Sequence, residues 1–439
     1  MTNGFTSSVI ITTLTKALKI IISIFVTIII ANTLGPEGQG IYKLAILLPN
    51  ILITLGNFGL GQSIIYFYNI KEDEKQKVIN ASITFSLILT LVIVICGLIL
   101  IIFFKSELLP GIGINHLIMG LTATPFLFMN SIIGAIFLAQ MNTKLYNLTG
   151  VLNLIVFLVM LILFSLTSNL NTTLTIFSFS ITSFLSFAYL ILRFFSLGNT
   201  FKIEIDLKFY LRVLKFGLKI FSAGLINSIH YRIDAFLVNA FLSPTSLGIY
   251  SIATALSEKN WILSQSAGEM IFPRIAGEKN KNKSIEFTIQ TYKVVMFITI
   301  IASLVLFFLS SFLIDNLFSK EYSSAILPFR ILLIGTISMA GWRVLINDLY
   351  GRKILKPVII LGICALFLNI LLNLYLIRKY GILGASISSA VTYTLSLISI
   401  IVVYTKYLDV QLKSFFIFNN SDKLLYIKFI KKIQLIVQK

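Results

Sequence analysis

Long apolar runs follow one another along almost the whole of this 439-residue chain. A helix needs about 20 apolar residues to cross the hydrocarbon core of a bilayer, where helices satisfy their own backbone groups. Only 12% of the residues are charged, whereas soluble proteins carry about 25%. The chain is therefore expected to be an all-α polytopic membrane protein. By length and hydropathy we count about twelve transmembrane helices, near 9–33, 41–68, 79–104, 114–138, 148–167, 173–197, 216–242, 247–271, 290–315, 324–347, 355–377 and 382–405.

A short element occurs twice. Residues 34–45 and 242–253 share the pattern L-x-P-x-x-x-G-I-Y-x-[L/I]-A, and the second copy begins 208 residues after the first. Apolar runs lie on both sides of each copy, which predicts a duplicated hairpin between two membrane helices and two pseudo-symmetric six-helix lobes. The predicted division of the chain is an N-terminal lobe 1–197, a basic linker 198–215, a C-terminal lobe 216–406 and a basic amphipathic tail 407–439.

The basic residues are unevenly distributed. The net charge is +19, and most of the lysines and arginines lie in alternate connections and in the tail. This bias follows the positive-inside rule and predicts that both termini are cytoplasmic. The positive-inside rule accounts for the high net charge, so a nucleic-acid partner is not needed to explain it. We therefore exclude nucleic acid as a partner. In the linker, Lys208, Arg212 and Lys215 share a helical face. This face belongs either to an interfacial helix that contacts anionic lipid headgroups or to a basic lip at the mouth of a transport cavity.

Polar side chains recur at helical spacing inside two related spans. Ionisable groups at membrane depth are costly and mark functional sites by default. In the second span Lys43, Asn50, Thr54 and Asn57 share one face. The repeat places Glu258 and Gln265 of the eighth span at the positions of Asn50 and Asn57. We expect the two stripes to face a central hydrated cavity; the alternative is that they form hydrogen bonds which hold the bundle together.

Two further spans carry charge. Lys16 and Lys19 share a face of the first span, which favours a cationic site. In the seventh span His230 and Asp234 are spaced to meet, whereas Arg232 points the other way. Either Arg232 or the His230–Asp234 pair therefore faces the cavity, and we favour Arg232. The predicted substrate-binding residues are Lys16, Lys19, Lys43, Asn50, Asn57, Arg232, Glu258, Trp261, Gln265 and Glu269.

No catalytic or metal-binding pattern is present. The chain has two histidines and no phosphate-binding P-loop motif, and the predicted external connections are too short for a catalytic domain. We therefore expect a protein that is not an enzyme and that needs no cofactor. The two cysteines, Cys96 and Cys364, fall inside predicted spans, and we expect both to pack in the core.

Several motifs together resemble a known family. LGPEGQGIYKLA at 34–45, RID at 232–234, LSPTSLGIYSIA at 242–253, the stretch from EKNW to IFPR at 258–274, and YGILGA at 380–385 occur in this order. They resemble the Wzx-like polysaccharide flippases of the multidrug/oligosaccharidyl-lipid/polysaccharide exporter superfamily, which also contains the MATE exporters. The resemblance covers nearly the whole chain.

The resemblance implies an alternating-access transporter in a bacterial inner membrane. Its substrate would be a polyprenyl-pyrophosphate-linked oligosaccharide, moved to the outer leaflet for O-antigen or capsule synthesis. The expected partners are membrane lipid, a polysaccharide polymerase and chain-length machinery. The implied cationic cavity falls on Lys16, Lys19, Lys43 and Arg232. Two alternatives remain: a cation-coupled multidrug or small-molecule exporter of the same fold, and a membrane polymerase of lipid-linked glycans.

Overall fold

The protein is described by a computed structural model that covers residues 2–70, 74–167, 170–278 and 280–417. All regular secondary structure in these ranges is helical. Nine segments within the described part of the chain are long and apolar enough to cross a membrane. The protein is therefore an all-α, multi-pass membrane protein, as the sequence predicts.

Fifteen α-helices make up the described ranges. Their bounds are α1 Thr2–Gly56, α2 Leu60–Tyr68, α3 Lys75–Leu108, α4 Ile114–Leu121, α5 Thr124–Ala139, α6 Thr143–Leu166, α7 Thr172–Ser196, α8 Leu207–His230, α9 Ile233–Phe241, α10 Pro244–Glu258, α11 Ile262–Gly277, α12 Lys281–Leu317, α13 Ile326–Gly351, α14 Lys356–Tyr380 and α15 Ile382–Leu408. Short 3₁₀ turns occupy Lys259–Trp261, Lys320–Ala325 and Leu412–Phe415.

The predicted spans differ from these helices in four places, one of which is the fourth span, 114–138, divided between α4 and α5. The first predicted span and most of the second lie in α1, which is broken at Gly35, where φ is +66° and ψ is −179°. A left-handed backbone followed by Pro36 cannot continue a helix, so the break falls inside the first copy of the repeated element. The seventh and eighth predicted spans are each built from two shorter helices, α8 with α9 and α10 with α11.

The first copy of the element forms the predicted hairpin. Val26 and Ile30, which precede the break, belong to the same buried cluster as Tyr42 and Ala45, which follow it. The two arms of α1 therefore pack side by side. The duplication also extends beyond the element, because α3 and α7 have counterparts in α12 and α15 that begin 206 and 210 residues later.

The two copies of the element pack directly against each other. A Cβ atom on Gly40 would overlap the backbone carbonyl of Pro244, and one on Gly248 would overlap the carbonyl of Pro36. The Gln39 amide donates to the Ser251 hydroxyl at 3.3 Å in the same contact. Glycine is needed here because the backbones approach too closely for any side chain.

Packing divides the chain differently from the predicted lobes. One compact unit comprises Met1–Ile252, Phe312–Ala325 and Ile377–Ile382, and the other comprises Ala253–Ser311, Ile326–Leu376 and Leu383–Lys439. Helix α8 packs against α1, α2 and α3, and α9 packs against α3, which places both helices with the first half. The four-part division stays a prediction, and its tail beyond residue 417 lies outside the described residues.

The prediction for the cysteines was wrong. Cys96 and Cys364 are both exposed at the surface of the protein. Cys96 lies on α3 between Ile95 and Ile99, which are 45% and 46% exposed. In a membrane helix such a surface is stabilised by lipid rather than by a protein core, and sequence apolarity does not distinguish the two environments.

Candidate functional site

A helix break positions the central residue of the candidate site. Helix α8 ends at His230 and α9 begins at Ile233, so Arg232 directly precedes a helix instead of lying within one. The prediction of a single helix through this region was wrong. The buried Asp234 carboxylate accepts a hydrogen bond from the Ala235 N–H at 2.8 Å, and an acidic residue in a first turn favours helix initiation at that point.

Asp234 also connects this break to the second copy of the repeated element. The Tyr250 hydroxyl donates to the Asp234 carboxylate at 2.5 Å, and both residues are buried. In the first copy the corresponding Tyr42 stacks on Phe157 instead. Asp234 thus has a structural role that fixes α9 against α10.

Arg232 and Asn50 line one cavity of about 200 Å³. The cavity lies between the second arm of α1 and the α8–α9 break. Its lining residues are Leu47, Asn50, Ile51, Thr54, Leu55, Ser228, Ile229, Tyr231 and Arg232. Arg232 is the one charged residue among these described lining residues, so the cavity presents a cation among hydroxyl, amide and aliphatic groups.

The polar lining on α1 is ordered by the helix itself. The Asn50 amide donates to the Ile46 carbonyl at 2.6 Å, and the Thr54 hydroxyl donates to the Asn50 carbonyl at 2.7 Å. Both hydrogen bonds join residues four apart in the same helix, so they form without any group from another helix. They hold the polar ends of Asn50 and Thr54 near the helix surface that borders the cavity.

Asn57 does not belong to that helical face. Helix α1 ends at Gly56, and the chain turns through Phe58 and Gly59, which have φ angles of +46° and +73°. The Asn57 carboxamide oxygen accepts a hydrogen bond from the Leu60 N–H at 3.2 Å, at the start of α2. The predicted stripe is therefore interrupted after Thr54, and Asn57 stabilises a turn.

The three predicted lysines lie elsewhere in the first unit. Lys16, Lys19 and Lys43 are each partly buried on α1, and none is among the residues that line the cavity. Lys19 Nζ lies directly against Gly150 of α6. The structure thus brings Arg232 together with Asn50 but does not bring these lysines to the same cavity.

The remaining predicted residues belong to the second unit. Glu258 ends α10, Trp261 lies in the 3₁₀ turn, and Gln265 is exposed on α11. The Glu269 side chain lies outside the described residues. Because the chain changes helix between Glu258 and Gln265, the eighth span does not present a single regular stripe. Convergence of the two stripes on one cavity stays a prediction.

Trp261 forms a stacked cluster inside the second unit. Its side chain is buried, the Arg343 guanidinium lies 4.2 Å from the indole ring centroid, and the Tyr393 ring packs edge-on at 6.1 Å. A cation over an indole face is a favourable contact, and more so when it is shielded from water. This geometry places the Arg343 guanidinium beside a predicted site residue.

Sequence reasoning missed two polar residues of the cavity, Ser228 and Tyr231. It placed Thr54 on the polar face of the second span but did not count it among the site residues. Ser228 precedes Arg232 by four residues, and this helical spacing inside an apolar run could have identified it. Tyr231 reaches the cavity only because the helix breaks beside it, and no local sequence signal marks that break.

A family model for polysaccharide biosynthesis proteins matches residues 5–277, which is more than half of the chain. The chain belongs to this family. The matched region contains both copies of the repeated element, Arg232 and all of the residues that line the cavity.

Curated relatives agree with this assignment. The chain is 23% identical over 401 residues to a putative O-antigen transporter of Shigella flexneri, covering 86% of this chain and 92% of the relative. It is 25% identical over 271 residues to the capsular polysaccharide biosynthesis protein CapF of Staphylococcus aureus, covering 58% and 66%. The chain is also 27% identical over 194 residues to an uncharacterised membrane protein of Methanocaldococcus jannaschii. This alignment covers 44% of this chain and 46%, less than half, of the relative.

Solved structures support the fold. The inward closed conformation of the lipid II flippase MurJ superposes with a TM-score of 0.78 at 17% identity, covering 92% of this chain and 89% of that chain. An inward-facing MATE multidrug resistance transporter superposes with a TM-score of 0.72 at 13% identity, covering 89% and 94%. At such identities the likeness shows the fold of the superfamily and not the substrate.

Proposed function

We propose that this protein is a flippase for polyprenyl-pyrophosphate-linked oligosaccharides, which it moves to the outer leaflet by alternating access for surface polysaccharide synthesis. The observation that carries the proposal is Arg232, the one cation among the described residues that line a cavity beside the break between α8 and α9. Broken membrane helices commonly form substrate sites, because they expose polar backbone and a helix start to the cavity. The family assignment and the names of its relatives support a glycan substrate.

The chemistry of the cavity suits an anionic headgroup. A pyrophosphate that leaves water for a low-dielectric cavity needs an opposite charge and hydrogen-bond donors. A guanidinium supplies both in a planar geometry that matches phosphate oxygens. On the walls, the Asn50 amide has a second N–H to donate, whereas the Thr54 and Ser228 hydroxyls already donate to carbonyls of their own helices. A cavity of about 200 Å³ holds only part of such a substrate, so the glycan and the prenyl chain extend beyond it.

The proposal includes the cellular setting. We place the protein in the inner membrane of a bacterium with both termini in the cytoplasm, because the basic connections then face the cytoplasm. A polysaccharide polymerase and chain-length machinery would use the flipped product. A multidrug exporter shares the fold, and its activity is an outcome that the experiment below distinguishes.

Replacing Arg232 by Gln is expected to lower flipping about 10- to 100-fold, because hydrogen bonds to a charged group contribute about 1.5–3 kcal/mol. Arg232→Lys should retain part of the activity, since it keeps the charge and loses the bidentate geometry. The measurement is surface polysaccharide per membrane-inserted protein in a deletion strain that carries each variant.

Arg193→Gln is the matched control. This exposed arginine of α7 contacts Tyr189 and lies outside the cavity. The control should behave as wild type. Normal surface polysaccharide in the Arg232→Gln strain, at normal protein levels, would contradict the role of Arg232. Wild-type polysaccharide with new sensitivity to cationic dyes would favour the drug exporter.

A further inference from the structure

The linker that follows α7 is fixed to α3 in an unusual way. Residues 199–206 have no regular secondary structure, yet their backbone is hydrogen-bonded to polar side chains of that helix. The Lys202 N–H donates to the Asn80 carboxamide at 3.2 Å, and the Glu204 N–H donates to the Thr84 hydroxyl at 3.1 Å. These bonds satisfy amide groups that a nearby bilayer could not solvate.

The start of α8 is held on the same helix. The Tyr210 ring stacks on Phe85 at 4.5 Å, and its hydroxyl donates to the Glu204 carbonyl at 2.8 Å. Asp206 forms an ion pair with Lys77 at 2.9 Å. One side of the linker and of the first turns of α8 is therefore held against α3. The opposite side, which we call the outer face, points away from α3.

The outer face exposes large aliphatic side chains, and such exposure is unfavourable in water. Ile203, Ile205, Leu207 and Leu211 are 76%, 70%, 71% and 67% exposed. Contiguous exposed aliphatic groups of this kind mark a contact with a membrane or another protein. Asn80 and Thr84 lie in the first turns of a helix that is long and apolar enough to cross a membrane. We therefore place the four aliphatic side chains near the start of the hydrocarbon core.

Cations border this apolar face. Lys208, Arg212 and Lys215 are exposed on the same side of α8 as Leu211. Asp206, the acid nearest to them in the chain, is already paired with Lys77. Lysine and arginine place aliphatic stems against hydrocarbon and charged ends among headgroups. We define the linker surface as Lys202, Ile203, Ile205, Leu207, Lys208, Leu211, Arg212 and Lys215.

We propose that the linker surface binds anionic phospholipids of the cytoplasmic leaflet. Its aliphatic groups match acyl chains, and its cations match phosphate headgroups at the edge of the same leaflet. The sequence alone left open a basic lip of a transport cavity. Four strongly exposed aliphatic side chains are unfavourable in a water-filled mouth and favourable in lipid, so the structure favours the lipid surface.

The test measures binding of fluorescent phosphatidylglycerol to the full-length protein purified in detergent. The variant Lys208→Gln, Arg212→Gln, Lys215→Gln should bind about a hundredfold more weakly, because each basic residue near a membrane surface contributes roughly fivefold. The control Lys281→Gln, Lys283→Gln, Lys353→Gln removes the same charge from exposed positions outside the linker surface and should change the affinity less than twofold.

Two further measurements keep the proposal falsifiable if the triple variant does not fold. Wild-type binding must weaken as salt concentration rises, because headgroup attraction is screened. Ile203→Ser with Ile205→Ser retains every charge and should still weaken binding. Equal affinity of the triple variant and wild type, an equal loss in the control, or equal competition by phosphatidylcholine would overturn the proposal. Competition by polyprenyl pyrophosphate without competition by unlabelled phosphatidylglycerol would instead assign the surface to the transport substrate.

Discussion

Replacing Gly40 or Gly248 by Ala is expected to destabilise the protein by about 3 kcal/mol or more, at or above the upper end of typical overpacking effects. A Cβ at either position would overlap a backbone carbonyl, that of Pro244 or that of Pro36. Backbone cannot rotate away as a side chain does, so the two helical segments must separate. The apparent unfolding midpoint in detergent should fall, and surface polysaccharide should be lost.

Gly224→Ala is the matched control for these substitutions. Gly224 lies in α8, and nothing lies within 4 Å of a Cβ placed there. Alanine in an open helical position removes the entropic penalty of glycine and is expected to be neutral or slightly stabilising. The double variant Gly40→Ala, Gly248→Ala should cost less than the sum of the single variants, because both act on one contact. A wild-type midpoint for Gly40→Ala would contradict the close approach of the two copies.

Replacing Asp348 by Asn is expected to have the second large effect. The Asp348 carboxylate is fully buried, accepts from Arg352 Nε at 2.7 Å, and accepts from the Thr288 hydroxyl at 2.7 Å. Arg352 also donates to the Ser284 hydroxyl at 2.8 Å. Breaking a buried ion pair by removing one partner costs about 3–5 kcal/mol, because the other charge stays buried without compensation.

Two comparison variants test whether the loss of stability comes from this buried ion pair or from the removal of any charge. Asp348→Asn combined with Arg352→Gln should recover part of the loss, since no uncompensated charge remains. Asp206→Asn should change the midpoint much less, because its partner Lys77 is 47% exposed and Asn still caps α8 in place of Asp. Equal effects of Asp348→Asn and Asp206→Asn would contradict the burial described for the Asp348 network.

The repeated element was the part of the fold that the sequence predicted best. Its Pro, Gly and Tyr positions indicated a duplicated hairpin, and the structure packs the arms of α1 around Tyr42. The contact between Gly40 and Gly248 was not predictable, because the pattern shows that two segments are alike and not that they touch. Equivalent positions also diverge: Gln140, the counterpart of Asp348, donates to Asn199 in a neutral hydrogen bond at 2.6 Å.

The candidate site was predictable only in part. The cost of charge at membrane depth directed attention to Arg232, which lines a cavity in the structure. The helix break that brings Arg232 to this cavity has no Gly or Pro beside it, so it could not be predicted. Asn57 was misplaced because helical periodicity was extended past Gly56, where the left-handed Phe58 and Gly59 end the helix. Periodicity predicts which residues share a face only while the helix continues.

The most direct test of the proposed function is the leaflet in which lipid-linked oligosaccharide accumulates when this gene is deleted. Intact spheroplasts are treated with a glycan-cleaving enzyme that cannot cross the membrane, and the protected fraction is measured before and after complementation. A flippase predicts accumulation on the cytoplasmic face, protected from the enzyme, that disappears with the wild-type gene and persists with Arg232→Gln. Accumulation on the outer face, exposed to the enzyme, would contradict the account and indicate a failed polymerase instead.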